Sequence, residues 1–169
     1  MGEKETTKLT RYYTEFEERT QHPGVRALHF LFMPVLFFAV MGLIWMIPFP
    51  EIGFLKKHGY DIFLNWGSFY IAIVVYYYLR LSPVLSYAIL LSIGVMSFLI
   101  VQLEYWEAAG GLPVWAVCAL LLVLSLGILW FSADKSGGKA YRVGSFIRLH
   151  VHGPLWLWHL VFDRFNIRH

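Results

Sequence analysis

Residues 83–103 read PVLSYAILLSIGVMSFLIVQL, 21 consecutive positions without a charged side chain. At ~1.5 Å rise per residue such a stretch makes a helix about 30 Å long, the thickness of a bilayer's hydrocarbon core. Three further stretches have the same character: Ala27–Ile47, Ile62–Leu79 and Leu112–Phe131. In lipid every backbone N–H and C=O must be satisfied internally, so segments of this kind are helices. The pattern predicts an all-α polytopic membrane bundle with four transmembrane helices. Composition agrees: 58% of the 169 residues are hydrophobic and only 15% charged, against about 25% charged in soluble domains. Trp66, Trp106 and Trp130 fall near the ends of the predicted spans, where amphipathic rings favour the headgroup region.

The charges outside these spans set an orientation. Lys4, Lys8, Arg11, Arg19 and Arg26 precede the first span, Arg80 lies between the second and third, and Lys135, Lys139, Arg142, Arg148, Arg164 and Arg168 follow the fourth. Only Lys56 and Lys57 occupy the other side. Twelve against two predicts both termini in the cytoplasm. The first 26 residues are charged and lack an apolar stretch, so a cleavable signal peptide is not expected. The basic balance reports topology; no nucleic-acid motif accompanies it. The single cysteine, Cys118, lies inside a span and reads as a small apolar filler.

One integral membrane domain is expected over 1–169, in three parts. In 1–26, Leu9, Tyr12, Tyr13 and Phe16 make one helical stripe, an amphipathic helix lying on the membrane or against the bundle. Pro23 suits the first turn of a new helix. The four spans occupy 27–131, separated by a Pro- and Gly-containing loop over Met46–Tyr60 and a very short connection at Leu79–Pro83. In 132–169, Ser132–Gly144 reads as a loop. Val143–Phe162 carries Arg148, three histidines and an internal Gly153–Pro154, and a proline inside a helix removes a hydrogen bond. A broken, interfacial or re-entrant C-terminal helix is expected. The run Tyr76-Tyr77-Tyr78 reads as interfacial anchoring, and Glu104 and Glu107 as loop solvation.

Histidines are the candidates for chemistry. His22 and His29 flank the start of the first span, His150, His152 and His159 lie in the C-terminal segment, and Asp134 follows the fourth span. The predicted topology brings these to one membrane face. Ionisable groups at membrane depth are costly and face a bundle interior or cavity. Imidazole and carboxylate together suit zinc, iron or manganese, and two histidines with one carboxylate form the facial set of non-haem Fe(II) oxygenases. His22 and His29 are seven apart, hence on one helical face but about 10 Å apart in rise. The alternative for all of them is a side chain that snorkels to the interface and bonds backbone or headgroups.

Several motifs, in order, resemble one known family. His22-Pro23-x-x-Arg26-x-x-His29-x-x-x-x-Pro34 is similar to the N-terminal signature of the 2-hydroxy fatty acid dioxygenase family. Tyr78-Leu79-Arg80-Leu81-Ser82-Pro83 resembles its central hairpin, and Gly153-Pro154-Leu155-Trp156-Leu157 with Phe165-Asn166-Ile167-Arg168 its C-terminal segment. The resemblance implies a small multispan Fe(II) dioxygenase that converts a long-chain 2-hydroxy fatty acid to the aldehyde one carbon shorter, with His22 and His29 as iron ligands. The chain departs from the family after the fourth span, where Ala133-Asp134-Lys135-Ser136-Gly137 lacks the third histidine and the following acidic residue. Asp134 is then the substitute ligand, or His150 or His152, and Arg26, Arg142 or Arg148 the partner of the substrate carboxylate. The alternative is a non-catalytic protein that binds a membrane lipid or a partner on the same scaffold.

Overall fold

The computed structural model describes residues 10, 13, 14, 16–18, 20–50, 53, 57, 64–135 and 143–165, with the side chains of 133–135 and 143–149 outside the description. It is all-helical, with no strand among the described residues. The main helices are α1 (Pro23–Trp45), α2 (Trp66–Leu81), α3 (Pro83–Ala108), α4 (Val114–Lys135) and α5 (Val143–Arg164).

Local chemistry sets the boundaries. Pro23 opens α1 as expected, with His22 as N-cap accepting a hydrogen bond from Gly24 N–H. Asn65 caps α2 through Ser68 N–H at 2.8 Å. Ser82 alone separates α2 from α3, closing one helix and capping the next, so the short connection is the antiparallel hairpin anticipated. α3 ends at Ala108, and the chain turns away at Gly110, whose φ of 93° lies in the left-handed region that glycine adopts without steric cost. Glu107 corrects an expectation: its carboxylate does not merely solvate the loop but accepts from Val114 N–H at 2.8 Å. There it satisfies an orphan donor and places negative charge at the positive end of α4.

Three helices are long and apolar enough to cross a bilayer: Pro23–Trp45, Pro83–Ala108 and Val114–Ser132. Their outward faces carry bulky apolar side chains, among them Leu91, Val95 and Phe98 on α3 and Val123 and Phe131 on α4. So much exposed apolar surface suits lipid and not water, and the chain is an integral membrane protein. Two further boundaries differ from expectation. α4 continues to Lys135, past the point where a loop was expected at Ser132. In the Met46–Tyr60 loop the described Gly53 and Lys57 are helical.

α1 is the central element. It packs most extensively on α4 and also touches α2 and α5, while α3 touches α2, α4 and α5. One core cluster joins Phe37 and Met41 of α1 to Tyr78, Leu85, Ile89 and Leu155. A second joins Phe16, Met33, Leu36, Leu129, Trp156 and Leu157. Phe16 is buried and Tyr13 half-buried, so the N-terminal stripe lies against the bundle; Leu9 and Tyr12 fall outside the described residues.

α5 is where sequence and structure part. Gly153–Pro154 does not break it: the helix runs unbroken from Val143 to Arg164 with Pro154 inside. Two contacts account for this. Tyr78 donates its hydroxyl to Val151 O at 2.7 Å, in the turn that the proline disturbs. Gly153 lets Met33 approach so closely that a Cβ there would lie 2.7 Å from its sulfur. Pro154 leaves His150 O without its helical donor, so these two contacts brace the turn from outside and do not replace the lost bond.

Candidate functional site

The polar interior of the bundle lies between α2 and α5. Tyr70 and Tyr77 are seven residues apart, and so on one face of α2. Tyr70 Oη lies 2.6 Å from His150 Nε2, and Tyr77 Oη 3.0 Å from His152 Nε2. His150 and His152 diverge around α5 as two-apart positions must, and each meets a different tyrosine. Phe37 stacks on His150, ring centroids 5.0 Å apart. A phenol donating to a neutral imidazole leaves no charge in this apolar setting, where an unpaired charge is costly. Each pair holds a proton between a phenol oxygen and a ring nitrogen.

The tyrosines were the signal missed. The run Tyr76-Tyr77-Tyr78 was expected to anchor at the interface. Only Tyr76 does so: it is 60% exposed and accepts from Arg80 Nε and Nη2. Tyr78 is buried and Tyr77 turns inward to His152. A helix turns ~100° per residue, so three consecutive rings cannot share one environment.

The expected ligand residues are placed differently from one another. His29 is completely buried and its Nδ1 donates to Val25 O at 2.9 Å, which leaves the lone pair of the neutral ring on Nε2. His22 is exposed, and its Nδ1 lone pair accepts from Gly24 N–H at 3.2 Å, which puts the proton of the neutral ring on Nε2. A metal bound at His22 Nε2 would need the opposite tautomer and would cost α1 its cap. Arg26 is exposed. Asp134 ends α4 and Arg148 lies in the first turns of α5, but their side chains, like Arg142 altogether, fall outside the described residues. No group of three His, Cys, Asp or Glu able to hold a metal occurs among the described residues. The described donors therefore do not by themselves fit an iron centre.

Next to the tyrosine–histidine seam is an apolar cavity of about 50 Å³ between α1, α3 and α5. Pro34, Phe37, Ile89, Ile93, Met96, Pro154 and Leu157 line it, with Ser92 and Trp158. Its polar groups are satisfied: Trp158 Nε1 donates to Ser92 Oγ at 3.1 Å, and Ser92 donates to Ala88 O at 3.0 Å. The wall is almost wholly apolar. The chain matches no known family model, no curated protein and no solved structure.

Proposed function

We propose that this protein binds an acyl lipid within the membrane, the alkyl chain entering the cavity between α1, α3 and α5. The observation that carries this reading is the cavity wall: apolar throughout, with its one hydroxyl engaged by Trp158. At about 50 Å³ the space exceeds the ~10–15 Å³ that a water needs, but beyond one remaining lone pair on Ser92 Oγ it offers none of the two to four polar partners that hold a water. The orientation that goes with it has both termini cytoplasmic and four crossings, α2 being the shortest at 16 residues. The test is photolabelling in membranes with a long-chain fatty acid bearing a diazirine at its methyl end. Label, read residue by residue, is expected on Ile89, Ile93, Met96 and Leu157 of the cavity wall, and Ile93→Trp, which fills the cavity, should reduce it severalfold. Label confined to the outward residues Leu91, Val95 and Phe98 would remove the cavity from the proposal.

A second reading is a membrane-bound Fe(II) dioxygenase acting on 2-hydroxy fatty acids. Two things favour it: the motif resemblance, and the complete burial of His29 in α1. His22, His29 and Asp134, or His150 or His152, would be its ligands, and iron would supply dioxygen activation. This reading requires stoichiometric Fe(II) in anaerobically purified protein, lost in His29→Ala and, if Asp134 is the third ligand, in Asp134→Ala. Iron-free protein that retains the photolabel leaves lipid binding alone.

A further inference from the structure

The cavity between α1, α3 and α5 is walled mostly by groups that cannot move aside. Its floor is Phe37, Ile89, Ile93 and Leu157, all buried. Phe37 is backed by the His150 ring, whose Nε2 lies 2.6 Å from Tyr70 Oη. The two isoleucines are branched at Cβ and stiff at χ1. Pro34 and Pro154 stand at the half-buried rim, one from α1 and one from α5, and a pyrrolidine ring has no rotamer to swing away. That leaves Met96 and Trp158 as the large rim side chains able to move. Methionine is slim and adapts to what it touches. Trp158 is the bulkiest group of the wall, and it is tied down.

The tie runs to α3. Trp158 Nε1 donates to Ser92 Oγ at 3.1 Å, and Ser92 donates to Ala88 O at 3.0 Å, so one hydroxyl fixes the indole to the backbone of α3. Phe162, one turn further along α5, packs against the indole with ring centroids 5.7 Å apart. Phenylalanine would pack at position 158; the indole adds a second ring and the N–H that holds it in place. The volume then decides what enters. About 50 Å³ is a third of the ~150 Å³ of a cavity that takes up benzene. A six-membered ring does not fit, whereas the end of an unbranched alkyl chain does.

We propose that Trp158 is the specificity-determining residue of this site, excluding acyl chains that end in a ring and admitting those that end in a straight alkyl tail, with Ser92 as the residue that positions it. This rests on the lipid-binding reading and narrows its ligand to an acyl chain with a slim end. The test is competition with the diazirine fatty acid for the delipidated full chain, by palmitate and by a fatty acid of equal length ending in a phenyl ring. Palmitate is expected to displace the label at roughly tenfold lower concentration, the lower end of what a hydrophobic pocket achieves by size. In Trp158→Ala the phenyl-ended acid should compete as well as palmitate or better. Ser92→Ala leaves the indole but removes its acceptor, and should narrow the preference severalfold. If Trp158→Ala does not fold, Ser92→Ala, which removes one hydroxyl, carries the test. A merely structural role would weaken both acids alike, and a ratio unchanged in the variants would overturn the inference. Equal displacement by the two acids in the unmutated protein would overturn it and leave lipid binding standing. Displacement by neither would overturn the lipid-binding reading and the inference with it.

Discussion

Replacing Gly42 by alanine is expected to destabilise the protein, although alanine is the better helix former. A Cβ at position 42 would lie far inside the van der Waals contact distance of Cys118 Sγ, with Ile100 behind it. Cys118 is completely buried and belongs to α4, the most extensive partner of α1. Within a bilayer, lipid is as apolar as the helix surface, so association depends on close packing and small residues at the contact. Overpacking costs about 1–3 kcal/mol and outweighs the ~0.5–1 kcal/mol that glycine-to-alanine gains in a helix. A net loss of about 1 kcal/mol corresponds to roughly 2–4 °C in Tm for a chain of this size. Cys118→Ala removes the obstructing sulfur, so the double variant should recover most of the loss. Gly94→Ala is the control. That glycine faces outward on α3 with nothing near its missing Cβ, and its variant should melt no lower than the parent. A Gly42→Ala protein as stable as Gly94→Ala would show that the α1–α4 contact is looser than described.

The second large effect is at Tyr78, among the largest fully buried side chains of the molecule. Tyr78→Ala is expected to cost about 3–5 kcal/mol, the range for emptying a large buried position. Most of this comes from the void and the lost contacts, because transfer between protein and lipid interiors contributes little. Tyr78→Phe keeps the ring and loses only the hydroxyl bond to Val151 O, a loss of about 1–2 kcal/mol. Its effect should be felt in α5. Pro154→Ala removes the ring that crowds the preceding turn, which lets Leu155 N–H close on Val151 O without help, so in that background Tyr78→Phe should cost less. Equilibrium unfolding in mixed micelles measures all four proteins. Equal cost of Tyr78→Phe with and without Pro154 would separate the hydroxyl from the proline.

The helices were legible because their causes are local. A run without charge, a proline at the first turn and an asparagine or serine before it mark a helix wherever they occur. Hence α1, α3 and α4 lie within a few residues of the stretches read from sequence. What stayed hidden depends on contacts far apart in the chain. Gly153–Pro154 reads as a break until Tyr78, 73 positions earlier, donates to Val151. The tyrosine run reads as a belt until α5 arrives to receive two of its rings. His22 shows the same limit at the site. Its spacing from His29 is visible, but not that its ring nitrogen is already occupied as the cap of α1. The stacking of Tyr13 on His159 and of Phe16 on Trp156 follows from spacing only after the N-terminal segment and α5 are known to lie together.

The single residue between α2 and α3 has a consequence for how the protein is made. Ser82 is buried, with Leu81 and Leu85 beside it in a cluster that includes Leu155 of α5. Its own polar groups are met: its N–H donates to Tyr78 O, its carbonyl accepts from Ser86 N–H, and its hydroxyl accepts from Leu85 N–H. A bend so complete can enter the translocon as a finished hairpin, with no water needed at its tip. What covers that tip is synthesised later. Between the release of α3 and the arrival of α5, the nascent chain shows the membrane insertion machinery an apolar bend with no lid. A chaperone or insertase acting on this protein would therefore meet its most exposed intermediate in that interval, and the closing step of assembly is the seating of α5.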